Sequence, residues 1–398
     1  MTILIFIIIL LALVIIHEAG HFFAAKSAKV RVDEFAFGFP PRLFSVKKGE
    51  TLYAFNALPI GGYVKIHGEN GEDKNNQDGS EKIKDKRNFA HKHPLIKIFI
   101  LAAGVIMNIL LAYILITAST YISTTFVADK NSNEYQTFLK ENRIKNERVI
   151  IVNVLENSPA ALAGIKAGYE IEKIYLNQEN LSGEVFSKKS LDLKKEGDEI
   201  VSEISKALNS NENKFNDSIT FVYKNLKGDT ASATVAGVYN LANSDNKDKK
   251  MIGISLGKVA TINLKFTEAV KLGYEKTIEY TRLTLIGFKD LFVKLFTTGN
   301  LSEGVAGPIG MVKEVGNVRE MGFNYLLLFT AVLSISLAVF NILPFPALDG
   351  GRILFVLIEW ITGRKISEKW QNILNGAGFL LLILLMIFVT VKDVMKLF

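Results

Sequence analysis

The chain has 398 residues, 49% of them hydrophobic, with a formal net charge of +7, five histidines and no cysteine. A mean hydropathy of +0.23, gathered into long apolar runs, points to a membrane protein. Without cysteine there are no disulfides and no thiolate metal ligands, and the dispersed lysines fit anionic lipid headgroups rather than nucleic acid.

In chain order, residues 1–25 form the first predicted transmembrane helix, which reaches the required length of about 20 apolar residues only by running through a His-Glu-Ala-Gly-His sequence. This segment lacks the basic start of a signal peptide, so a retained helix is expected rather than a cleaved leader. Residues 26–94 read as a cytoplasmic-side loop containing a β element. Its β-like runs at 30–37, 43–47, 51–58 and 63–66 are separated by Pro40-Pro41, Lys48-Gly49 and Gly61-Gly62. The polar stretch 69–87 is expected to be flexible.

Residues 95–121 form the second transmembrane helix, with only Lys97 charged. Residues 124–265 read as a small α/β domain, with strands at 149–154, 171–174, 218–223 and 232–238, a capped short helix at 158–164 and a charged loop at 243–250. In 266–322, the spacing of Val270, Tyr274, Ile278, Leu285, Phe288 and Leu291 predicts a long amphipathic helix followed by a linker. Residues 323–343 and 373–391 are the third and fourth transmembrane helices, joined by a loop over 344–372. The expected fold is thus a multi-pass α-helical membrane protein with four transmembrane helices, a membrane-associated β region and an extracytoplasmic α/β domain.

Charge in the short loops sets the expected orientation. Lys26, Lys29 and Arg31 follow the first segment, and Arg352, Arg364, Lys365 and Lys369 fill the loop between the third and fourth. Regions 26–94 and 344–372 are therefore expected in the cytoplasm, with the 124–322 region and both termini outside.

His17-Glu18-Ala19-Gly20-His21 is an H-E-x-x-H pattern. On a helix, positions i and i+4 share a face, so both imidazoles can grip one metal, and Glu18 is placed to act as general base. Two histidines and a glutamate inside an apolar segment are costly unless they have a function. His67, His91 and His93 lie in polar loop sequence and read as surface residues. A catalytic zinc site needs a third protein ligand, here a carboxylate. The inner ends of the first and third segments share a side of the membrane, which selects Asp349 over Glu359, ten residues further on beside Trp360. Pro344 and Pro346 interrupt the backbone just before Asp349, an irregularity tolerated at membrane depth only where protein or a wet cavity satisfies it.

With these motifs the chain resembles the site-2 protease family of intramembrane zinc metalloproteases, in particular the bacterial regulator-of-sigma-E protease group. The resemblance implies one zinc ion per chain on His17, His21 and Asp349, with Glu18 catalytic. Asn341, in Asn341-Ile342-Leu343-Pro344-Phe345-Pro346-Ala347-Leu348-Asp349-Gly350, falls on a position associated with substrate positioning. Ala57-Leu58-Pro59-Ile60-Gly61-Gly62-Tyr63-Val64-Lys65 resembles a membrane-reentrant β element, which implies that Gly61, Gly62 and Tyr63 engage an extended substrate. Ala103-Gly104-Val105-Ile106-Met107-Asn108 is similar to a second-helix motif, with Val105 where proline is common. There Asn108 carries at most a supporting role, and Gly104 reads equally as helix packing. Gly307-Pro308-Ile309-Gly310 also resembles a family segment. Asn157-Ser158-Pro159-Ala160 and Gly164-Ile165-Lys166-Ala167-Gly168 resemble a PDZ domain, with Tyr169 in place of the usual aspartate.

The implied partners are the lipid bilayer of a bacterial inner membrane, single-pass membrane protein substrates such as anti-sigma factors or remnant signal peptides, and a site-1 protease acting upstream. A non-catalytic PDZ-containing receptor or scaffold is the alternative, and the intact Glu18 argues against it. A zinc transporter would need polar residues across the whole bilayer, whereas the polar cluster sits at one end.

Overall fold

The computed structural model describes the chain except residues 70–85, 128–132, 156, 180–184, 194–198, 201, 205, 207–216, 226–227, 237–251, 299–306 and 396–398. Most of the polar 69–87 stretch and the whole charged loop at 243–250 lie outside the described residues. The chain divides into a helix unit (1–119, 267–319 and 323–398) and a sheet unit (120–266 and 320–322).

The helix unit opens with α1 (Thr2–Ser27). Ile9, Leu13, His17, Gly20 and Ala24 recur every three or four residues and form its buried stripe, whereas Ile3, Leu4, Ile8 and Phe23 are exposed. That spacing turns one face inward and carries both histidines with it.

Strands β1 (Val32–Lys48) and β2 (Thr51–Ile66) follow as an antiparallel hairpin around Gly49, whose φ of 64° suits a tight turn. Both strands double back on themselves. Phe35 pairs with Val64 on one side and Tyr53 on the other, while Val46 also pairs with Tyr53. The four β-like runs of the sequence are therefore ordered 63–66, 30–37, 51–58 and 43–47, and among the described residues the run ending at Ile66 is an edge. Helix α2 (Pro94–Ile122) then packs on α1, with Ala24, Ala25, Val30, Val32, Ile100, Leu101 and Ala103 in one buried cluster.

The sheet unit contains β3 (Thr124–Val127), α3 (Asn133–Lys140), β4 (Ile144–Val154), α4 (Pro159–Leu162), β5 (Glu170–Glu179), β6 (Val185–Ser190), β7 (Asp217–Lys224), β8 (Thr230–Ala236) and β9 (Ile254–Ile262). Its antiparallel sheet has the order β3-β9-β4-β5-β7-β8, with β6 also paired to β5. Ile151, Ile174, Ile219 and Phe221 point into one core. Ser158 caps α4 by accepting the Ala161 amide at 3.2 Å. Sequence reading missed β3, β6 and β9, which are short or follow segments of mixed polarity.

The helix unit resumes with α5 (Phe266–Thr298), α6 (Pro308–Met321), α7 (Phe323–Ile342), α8 (Asp349–Thr362) and α9 (Glu368–Met395). Ala112, Ile116, Ala331, Ile335 and Val339 bury the α2–α7 contact, with Tyr280 and Phe288 of α5 against it. Much of the predicted loop at 344–372 is instead helix α8, ended by Gly363 in the left-handed conformation (φ 66°). Its apolar residues recur at helical spacing, a signal hidden behind the two prolines. Among the described residues, α1, α2, α7 and most of α9 (Lys369–Met395) are long and apolar enough to cross a membrane.

Candidate metal centre

His17 and His21 lie one turn apart on the inward face of α1, each only 7% exposed. Their rings meet edge to face with centroids 4.8 Å apart. Asp349, 332 residues away from His17 in the chain, brings its carboxylate Oδ2 to 3.0 Å from His17 Nε2 and 3.3 Å from His21 Nε2. The two Nε2 atoms are 3.2 Å apart.

Local backbone explains how Asp349 arrives there. After α7 the chain reverses through Leu343–Leu348, with Ala347 at a φ of 75° and its amide donating to Asn375 Oδ1 of α9 at 3.1 Å. A left-handed alanine is strained and persists only where its surroundings impose it. Asp349 is the first residue of α8, where a carboxylate is favoured by the helix dipole. The two glycines behind it are forced: a Cβ on Gly350 would overlap the Ile342 and Leu343 carbonyls, and one on Gly351 the Phe345 carbonyl.

Helix α2 makes the closest approach from the other side. A Cβ on Gly20 would overlap the Ala103 carbonyl, so two small residues let α1 and α2 touch backbone to backbone. A Cβ on Gly104 would fall 2.5 Å from His21 Nε2 and 2.8 Å from His17 Nε2. Gly104 thus leaves the space into which both rings project, a role beyond helix packing.

The donor set fits zinc. His21 Nδ1 donates to the Ile100 carbonyl at 2.8 Å, so its Nε2 carries a lone pair. In the neutral ring that lone pair faces a carboxylate oxygen and a second imidazole nitrogen, a convergence that a bound cation would satisfy. Nitrogen and oxygen ligands about 2.0–2.2 Å from a tetrahedral zinc lie roughly 3.3–3.5 Å apart, close to the separations seen here. With no cysteine in the chain, His17, His21 and Asp349 could supply the three donors of an open, catalytic type of site.

The cluster opens into a cavity of about 510 Å³ lined also by Glu18, Gly62, Tyr63, Asn341 and Arg352. Glu18, the predicted base, is therefore on the wall of the same cavity as the ligands. A Cβ on Gly62 would come within 3.5 Å of Glu18 Cγ and 2.9 Å of the Ala36 carbonyl oxygen, so the β2 edge passes close over the base. Gly61 packs against the Phe39 ring and is absent from the lining. Tyr63 donates to Glu34 Oε1 at 3.0 Å. Glu359 is held elsewhere, accepting from the Ile366 amide at 3.0 Å and Gln371 Nε2 at 3.2 Å. Sequence reading took Arg352 only as a loop charge; in the structure it lines the cavity, and its Nη1 donates to Glu69 Oε1 at 2.5 Å. An ion pair formed 283 residues apart leaves no periodic trace in the chain.

A metal-binding donor set with an adjacent glutamate, on helices of membrane-spanning length, defines a membrane metalloprotease. The comparisons agree. The profile of peptidase family M50 matches residues 5–385, and the chain belongs to this family, that of the site-2 proteases. It is 34% identical over 385 residues to a Clostridium perfringens protein provisionally named a zinc metalloprotease, covering 96% of this chain and 95% of that one. It is 31% identical over 433 residues to zinc metalloprotease RasP of Oceanobacillus iheyensis, covering 100% of this chain and 99% of that one. With RasP of Geobacillus kaustophilus the identity is 28% over 428 residues, covering 100% and 98%.

Proposed function

We propose that this metalloprotease is an intramembrane endopeptidase that hydrolyses peptide bonds within the transmembrane segments of single-pass membrane proteins. The observation that carries this reading is the His17–His21–Asp349 cluster, with contacts of 3.0–3.3 Å, on the inward face of helices whose outer faces are apolar. A peptide bond reaching this site comes from within the bilayer or along the β2 edge.

One zinc ion per chain is held by His17, His21 and Asp349. Bound there, it supplies Lewis acidity toward the scissile carbonyl and acidifies water. Glu18 accepts a proton from the attacking water and delivers it to the amine nitrogen as the C–N bond breaks. The cavity wall at Gly62 and Tyr63 belongs to the outer run of the hairpin, and an unwound substrate added there as a further strand would be held extended beside the metal. Asn341, on the same wall, is suited to orient the substrate backbone.

The membrane is the bacterial cytoplasmic membrane, with the catalytic centre toward the cytoplasmic face. The sheet unit acts outside as a PDZ-like domain; its capped α4 and the positive-φ Gly164 and Gly168 support that reading. Substrates are anti-sigma factors or remnant signal peptides, first trimmed outside by a site-1 protease. The test is cleavage of a transmembrane substrate co-reconstituted with the full chain. Glu18→Gln should lower the rate about 10²–10⁴-fold while zinc stays bound, and a chelator should abolish cleavage. Undiminished cleavage by Glu18→Gln overturns the mechanism. Cleavage of soluble peptides alone overturns the substrate class.

A further inference from the structure

The outer contacts of the two histidines come from a single face of α2. Ile100, Gly104 and Asn108 follow at four-residue intervals: the first offers its carbonyl to His21, the second makes room for both rings, and the third meets His17. Nδ2 of Asn108, as placed, lies 3.3 Å from His17 Nδ1, on the ring edge opposite Asp349, and its Oδ1 is buried without a partner. Asn108 is fully buried, and Ser334 Oγ of α7 donates to its backbone carbonyl at 2.8 Å, which pins α2 at this level.

For His21 the ring proton is already placed, because a carbonyl can only accept and Nδ1 must donate to it. For His17 the same outcome depends on Asn108. Exchanging the oxygen and nitrogen of an amide leaves its shape almost unchanged, so the hydrogen-bond network decides the assignment. If Nε2 of His17 is to carry the lone pair that faces Asp349 and His21, the proton of the neutral ring sits on Nδ1. The group opposite must then be an acceptor, and the only amide atom that accepts is Oδ1.

A residue kept at 108 only to fill space would be better apolar. The second polar atom of the amide is buried without a hydrogen-bond partner, a cost that leucine would avoid. The contact with His17 is what offsets it. We infer that Asn108 is a positioning residue of the metal centre, whose amide oxygen accepts the Nδ1 proton of His17 and so fixes Nε2 as the metal-binding nitrogen. Ligand imidazoles are generally oriented by an acceptor on their far nitrogen, and loss of that acceptor weakens metal binding.

The inference rests on the zinc-site reading above, and the test separates the two. Zinc affinity is measured on the purified full-length protein by competition with a chelating dye, beside the visible spectrum of the cobalt-loaded form. Asn108→Leu, similar in branching though larger and without an acceptor, should bind zinc about 10–100-fold more weakly and alter the cobalt spectrum. Asn108→Asp, which keeps an acceptor at the same reach, should stay within about threefold of the wild type. Asn108→Ala serves as the second acceptor-free variant if leucine prevents folding. Equal losses in Asn108→Asp and the apolar variants, or wild-type affinity in an apolar variant, overturn the role of Asn108. If the wild type itself binds no zinc, the zinc-site reading fails instead.

Discussion

In the sheet unit, Phe221, Ile151, Ile174 and Ile219 are almost wholly buried, and charged pairs such as Glu172–Lys224 lie at the surface. The helix unit also has apolar clusters inside, but it encloses polar side chains and leaves many apolar ones on its surface. His17, His21, Asn108 and Ser334 are buried, while Ile3, Leu4, Phe99, Ile106 and Leu384 are exposed. Water expels apolar side chains, so the sheet unit is held by what fills its core. Hydrocarbon exerts no such pressure between apolar helices, so the helix unit depends on close backbone approach at small residues and on polar contacts between helices. The glycines at 20, 104, 350 and 351 supply that close approach around the candidate metal centre. One unit should be sensitive to atoms removed, the other to atoms added.

The largest expected effect tests the second half of that contrast. Gly104→Ala adds one methyl group 2.5 Å from His21 Nε2, and neither ring can retreat freely because each is hydrogen-bonded on its far side. Zinc affinity should fall by at least about 100-fold, comparable to loss of an orienting group, as measured by chelator competition. Wild-type affinity in this variant would show that the rings yield and that packing here is loose. Next comes deletion in the other unit. Phe221→Ala should cost about 3–5 kcal/mol in denaturant unfolding of the sheet unit, while zinc binding stays at the wild-type level. A parallel loss of zinc would mean that the two units do not respond separately. The smallest effect is expected at the α4 cap, where Ser158→Ala should cost about 1 kcal/mol by the same measurement. No change would mean that the Ala161 amide finds another acceptor.

The structure also shows where sequence reading stopped. The four β-like runs between the first two membrane helices could be read from β-branched and aromatic residues and the turns between them. Their spatial order could not, and it is the order that puts the run ending at Ile66 at the edge of the described strands, beside the cavity. The prolines before Asp349 were visible as an interruption, but they concealed helix α8. The Gly350-Gly351 pair was read only as part of a motif, because the need for glycine comes from carbonyls folded back against it.

By itself the sequence determined whatever is written locally. Apolar runs of membrane length mark the four helices that, among the described residues, are long and apolar enough to span a membrane. The four-residue spacing of His17 and His21 puts both rings on one face, since a helix repeats every 3.6 residues. Charge in short loops and the absence of cysteine narrowed the expected third ligand to a carboxylate after the third segment, on the side where the first segment is expected to end. The tertiary structure alone decided how far apart the groups sit and which nitrogen each ring presents. Those depend on contacts such as His17–Asp349 across 332 residues and His17–Asn108 across 91. No local period links residues so distant. They meet because glycine on α1 and α2 lets the helices touch, and because a strained turn brings Asp349 to them.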